Sequence, residues 1–115
     1  MAKQESDRPG EQLRPFTPSF PFYLVYGDGM PVLGNDGGTK FVMACATLEL
    51  GELVTSQFHA SQPRTQMELR RIADREGLSV VARLLVHQGV THMSWNATRR
   101  STVINVVALT DFVSA

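Results

Sequence analysis

The stretch from Thr39 to Leu48, TKFVMACATL, decides the fold of this chain. Successive side chains of an extended strand point to opposite faces of a sheet, so Phe41, Met43 and Cys45 share one face. The other face carries the remaining apolar side chains, which are Val42, Ala44, Ala46 and Leu48. Because both faces are apolar, the pattern predicts a central strand, and its alanines leave room for a helix to approach closely.

Further strands are predicted on both sides of this central strand. Phe22 to Tyr26 is rich in aromatic and branched residues and lies between a proline and a glycine, which is typical of a strand. Pro31 lacks a backbone donor, so the short segment around it can form only an edge strand. Near the C-terminus, residues 90–95 and 102–109 have strand-like sequences, and residues 96–101 are predicted to join them as a hairpin.

Three segments between these strands have helical patterns. Residues 49–62 have a weak one. A helix over 66–76 has a clearer start, because Thr65 and Glu68 fit a capping box that contributes about 1 kcal/mol. The apolar run 78–88 suits either a helix or a strand, and its length and spacing favour a second helix.

These elements predict a single α+β domain. A chain of 115 residues is one domain in length, and its 43% hydrophobic residues can supply a core. The order of strands, helices and strands favours one antiparallel or mixed sheet of about five strands, covered on one face by one or two helices. Residues 1–15 are polar and charged, which predicts a disordered N-terminal arm before a domain spanning 16–115.

The composition of the chain argues against several classes of partner and location. Eleven basic residues balance eleven acidic ones, so the whole molecule has no strong field to attract nucleic acid or an anionic membrane. Cys45 is the only cysteine, which excludes an intramolecular disulfide and indicates a reducing compartment. No apolar run approaches the roughly 18 residues of a membrane-spanning helix, and the start does not resemble a secretory signal. We therefore expect a cytoplasmic protein without membrane partners.

No cluster of reactive side chains is apparent. The available imidazole and thiol groups are His59, His87, His92 and Cys45, and no pair of them has the spacing of zinc ligands. Cys45 lies in the middle of a buried strand, where a thiol is usually inert. The glycine-rich stretch 27–38 is typical of tight turns, not of a phosphate or calcium loop. We therefore expect no catalytic residue, no metal and no cofactor.

Several of these segments together resemble a known family. The segments are 22–25 (FYLV), 31–33 (PVL), 36–38 (DGG), 46–50 (ATLEL) and the strand end at 95–96 (WN). With the helix predicted at 66–76, they are similar to the SseB amino-terminal domain family over residues 20–97. The resemblance implies a small, non-enzymatic α/β module, and it carries over no functional residues.

The first hypothesis for function is a non-catalytic cytoplasmic module that acts through protein contacts, as a homodimer or with another protein. Phe16 and Phe20 lie among three prolines between residues 15 and 21. Such a segment favours an extended path whose aromatics can anchor it to a surface, including that of a second subunit. The predicted edge strand near Pro31 offers a further contact surface.

Two alternatives remain open. One is a small-ligand or enzymatic pocket built from His59, His92 and Trp95. The other is weak nucleic-acid binding, in which Trp95 stacks on a base beside the hairpin arginines. The arginines concerned are Arg71, Arg75, Arg99 and Arg100. Acidic residues interleave with those near 71–75, which argues against nucleic acid as the main partner.

Overall fold

The computed structural model describes residues 12–36, 39–96 and 103–113, and within these ranges eight strands form one mixed sheet with two α-helices. The strands are β1 (Gln12–Pro15), β2 (Phe22–Gly27), β3 (Met30–Pro31), β4 (Leu33–Asp36), β5 (Thr39–Cys45), β6 (Met67–Ile72), β7 (His92–Trp95) and β8 (Val103–Ala108). The helices are α1 (Leu48–Ser61) and α2 (Arg75–His87), and a 3₁₀ helix, Leu109–Phe112, follows β8.

The sheet confirms that β5 is central. Its neighbours are β7, which is parallel to it, and on the other side β2 and β4, which are antiparallel. Across the sheet the order is β6, β2, β5, β7, β8 and β1, with β3 and β4 lying between β2 and β5. The α+β class and the mixed sheet agree with the prediction. The strand number exceeds about five because β1 and β4 are too short to give a periodic signal and because the segment of β6 was predicted as a helix.

The two helices cover opposite faces of the sheet, whereas the sequence predicted helices on one face. Alternate residues of β5 belong to two separate clusters: Ala44 packs with α2, and Cys45 packs with Val54 of α1. The connection β5–α1–β6 crosses the sheet in one direction, and β6–α2–β7 crosses back. Because parallel crossovers have one strongly preferred hand, two crossovers that run in opposite directions must use opposite faces.

The helix predicted over 66–76 is wrong, since this segment contains β6. Met67 and Leu69 pack with the α1 cluster while Glu68 between them is exposed, which is the alternation of a strand. Asp74 caps α2, where its Oδ1 accepts a hydrogen bond from the Gly77 N–H at 2.8 Å. The predicted helix over 78–88 is confirmed as α2, which starts three residues earlier than expected. The weak helix at 49–62 is confirmed as α1.

Order begins earlier than predicted. The strand β1 lies within the segment 1–15 that the sequence assigned to a disordered arm, and it pairs in parallel with β8. The Phe16 N–H continues this pairing by donating to the Val106 carbonyl at 2.9 Å. Residues 1–11 lie outside the described part of the chain. The N-terminal region therefore supplies one margin of the sheet.

Candidate functional site

The aromatic residues predicted to contact a partner lie against their own sheet. The ring of Phe16 is 5.2 Å from that of Trp95, and Trp95 is 5.1 Å from Phe22. Phe20 stacks 5.5 Å from Phe22. These contacts hold the linker between β1 and β2 across the sheet, and the indole is only 5% exposed. Phe16, Phe20 and Trp95 therefore come together, but mainly as packing within one chain.

The residues of the predicted pocket do not converge. His59 lines a shallow groove between α1 and the segment that leads into β6. His92 lines a different cavity, beside β8. Trp95 lies on the other face of the sheet from His92, in the α2 cluster. The structure therefore gives no shared site to His59, His92 and Trp95.

The His92 cavity is the more enclosed of the two and therefore the better candidate for a small ligand, with a volume of about 410 Å³. Its lining includes the apolar Val106 and Ala108 and the polar Thr17 and Asp111. The Nδ1 of His92 lies 2.8 Å from the Thr91 hydroxyl, which fixes the orientation of the imidazole ring.

Cys45 is buried, and the described residues contain no group of three His, Cys, Asp or Glu side chains that could hold a metal ion. Burial raises the pKa of the Cys45 thiol from 9.0 to about 11. A thiol in this state is a poor nucleophile at neutral pH, because the reactive form is the thiolate. The position and pKa of Cys45 fit packing within the core.

This pKa shift predicts how Cys45 affects stability at high pH. The folded state holds the thiol proton up to about pH 11, while the unfolded chain releases it near pH 9.0. The contribution of Cys45 should therefore be complete below pH 9 and should fall by about 1.4 kcal/mol per pH unit between these values. The free energy of unfolding, measured with urea from pH 8 to 10.5, should fall more steeply with pH for the wild type than for Cys45→Ala. Parallel pH dependences of the two proteins would contradict this.

The four arginines of the nucleic-acid hypothesis do not form a described patch. Arg71 lies on the α1 face of β6, together with Met67 and Leu69. Arg75 starts α2 on the opposite face, with its guanidinium carbon 4.5 Å from the centre of the Phe112 ring. Arg99 and Arg100 lie outside the described residues. The sheet therefore separates Arg71 from Arg75.

The site that sequence reasoning missed is the outer edge of β6. This strand pairs along its whole length with β2, and no described strand pairs with its other edge. Glu68 and Arg70 are exposed on one face of this edge, and Met67 and Leu69 are half-buried on the other. The alternation of residues 67–70 was the available signal, but the apparent capping box favoured a helix.

The charged side chains at this edge are held in a fixed arrangement. The Nε of Arg70 donates to Oε2 of Glu68 at 3.2 Å, and its guanidinium carbon lies 4.0 Å from the centre of the Tyr26 ring. The hydrogen bond to Glu68 raises the pKa of Arg70, and burial raises the pKa of the Tyr26 hydroxyl. Glu68 and Arg70 therefore present adjacent, opposite charges beside backbone groups of β6 that no described strand pairs.

No helix within the described ranges is both long enough and apolar enough to cross a membrane. No model of a known protein family matches the chain, and no curated protein matches it. The candidate site is therefore inferred from its geometry alone, which is that of a strand edge able to contact another polypeptide.

Proposed function

We propose that this chain is a non-catalytic, cytoplasmic module that acts through protein contacts, and that its principal partner is a second copy of itself. The observation that carries the proposal is the outer edge of β6, six residues long, with which no strand of the described ranges pairs and beside which Glu68 and Arg70 are exposed. A strand edge displays a row of backbone donors and acceptors that can pair with another strand.

A module of this kind also agrees with the scattered reactive groups. His59 and His92 line separate cavities, and Cys45 is buried with a raised pKa. The resemblance to the SseB amino-terminal domain family implies the same non-enzymatic class. The contact surface differs from the aromatic arm that the sequence suggested, because Phe16 and Phe20 already contact rings of their own chain.

Sedimentation velocity of the full chain from micromolar to millimolar concentration tests this function. The expected result is a concentration-dependent shift from 12.7 kDa to twice that mass, because a symmetric contact makes a closed dimer. A single 12.7 kDa species throughout the range would contradict the proposal of self-association.

A second candidate function is the binding of a small, largely apolar ligand with a hydroxyl or amide group in the His92 cavity. Val106 and Ala108 offer apolar contacts there, while Thr17 and Asp111 offer polar ones. Nuclear magnetic resonance titration with a library of such fragments should shift the signals of His92 and Val106 together. Shifts that appear only elsewhere, or none, would contradict this candidate.

A further inference from the structure

We propose that two copies of this chain join through β6 in one specific antiparallel register, in which Leu69 lies opposite the partner subunit's Leu69. This inference rests on the proposed function, because it names the surface and the register of the self-contact. In this register Glu68 lies opposite the partner subunit's Arg70, and Arg70 lies opposite the partner subunit's Glu68. The two sheets would become one continuous sheet around a two-fold axis.

The backbone groups of β6 that face outward follow from its pairing with β2. The Asp28 N–H donates to the Gln66 carbonyl at 2.9 Å, so Gln66 faces β2. On the far side of β2, the Val25 carbonyl accepts from the Val32 N–H at 3.0 Å. Val25 therefore faces away from its register partner Leu69. Since antiparallel pairs alternate, the backbone groups that face the free edge are those of Met67, Leu69 and Arg71.

The charges of β6 distinguish among the possible registers. The outward residues must pair with outward residues, so the two-fold axis passes between one residue of β6 and the same residue of the second copy, and we name each register by that central residue. A centre at Glu68 puts two carboxylates opposite each other, and a centre at Arg70 or Arg71 does the same with two guanidinium groups. A centre at Met67 leaves Glu68 opposite the neutral Gln66. Only a centre at Leu69 places opposite charges across the axis, and it does so twice.

The position of residues 68 and 70 and the fixed guanidinium of Arg70 both strengthen these cross-axis contacts. With Leu69 at the centre, residues 68 and 70 lie opposite each other at non-hydrogen-bonded positions, where side chains of paired strands approach most closely. Arg70 uses its Nε to bind its own Glu68, and the guanidinium has five N–H donors, so donors remain for the partner subunit's Glu68. The stacking of Arg70 on Tyr26 fixes the guanidinium beforehand, which lowers the entropy lost on association.

The other margin of the sheet fits this role less well. The strand β1 has four residues and ends at Pro15, which has no backbone N–H to donate. The strand β6 has six residues and contains no proline. In the proposed register its outward residues would form about six backbone hydrogen bonds with the second copy.

Charge reversal on one strand tests the register. Arg70→Glu makes residues 68 and 70 both acidic, and Glu68→Arg makes both basic, so either variant alone places like charges opposite each other. We expect each to weaken the dimer by about 10- to 100-fold in Kd. An equimolar mixture should recover a dimer, because the acidic strand then pairs with the basic one. Arg83→Glu, on an exposed position of α2, matches the charge change of Arg70→Glu and should dimerise like the wild type.

The possible outcomes separate this inference from the proposed function. Circular dichroism melts first establish that each variant is folded. If the wild type dimerises and Arg70→Glu dimerises equally well, the β6 register is wrong while self-association stands. If the mixture does not recover the dimer, the register is also contradicted. If the wild type is monomeric at every concentration, the proposed function itself fails, and the register fails with it.

Discussion

Replacing Phe22 with alanine should lower the free energy of unfolding by about 3–5 kcal/mol, the largest effect expected of any single change considered for this chain. Phe22 is fully buried at the start of β2 and contacts the rings of both Phe20 and Trp95. Its removal would leave a cavity between the sheet, the linker from β1 and the α2 cluster. Urea unfolding followed by circular dichroism measures the loss as a lower midpoint with an unchanged slope.

Phe16→Ala is the matched control for Phe22→Ala. Phe16 contacts the same indole but is 37% exposed, so its truncation should cost only about 1 kcal/mol. Equal losses for Phe16→Ala and Phe22→Ala would contradict the arrangement in which Phe22 forms the buried centre of the aromatic cluster.

The second large effect is expected at Gly51, where α1 lies closest to β6. A β-carbon added there would lie 2.8 Å from Cδ1 of Leu69, inside normal contact distance. Gly51→Val should therefore push the helix and the strand apart and destabilise the fold by about 1–3 kcal/mol. The measurement is again urea unfolding.

Leu69→Ala tests whether this clash is the cause. The substitution removes as many side-chain carbons from β6 as Gly51→Val adds to α1, so the double variant conserves the volume of the contact. We expect the double variant to be more stable than the sum of the two single effects predicts, by at least about 1 kcal/mol. Strict additivity would mean that α1 does not pack on β6 at Leu69.

The central part of the fold could be predicted because local pattern and length favour one structure for its segments. The apolar alternation of Thr39–Cys45 on both faces requires a central strand, and the run 78–88 has the length of a helix. The faces occupied by the helices could not be predicted in the same way. They depend on the direction of each crossover, and this direction follows from the pairing of β6 with β2, which no local pattern reveals.

The candidate site could not be predicted because the local sequence of β6 favours a helix, whereas the strand forms through tertiary pairing with β2. Thr65 and Glu68 have the spacing of a capping box, and Leu69 and Ile72 have helical spacing. Pairing along the whole length of β2 outweighed that preference, as tertiary contacts commonly do. Once the segment is a strand, the exposed Glu68 and Arg70 alternate with the half-buried Met67 and Leu69 along the sheet edge. The sequence contained the residues of the site but not their geometry.

Disulfide trapping tests the β6 contact most directly. Mixing the Glu68→Cys and Arg70→Cys variants under mild oxidation should give a cross-linked dimer, because these positions lie opposite each other across the proposed axis, within the distance that a disulfide spans. Native Cys45 is buried with a pKa of about 11 and should not interfere. Each variant alone should remain uncross-linked. Cross-linking of one variant alone, or none in the mixture, would contradict the proposed pairing.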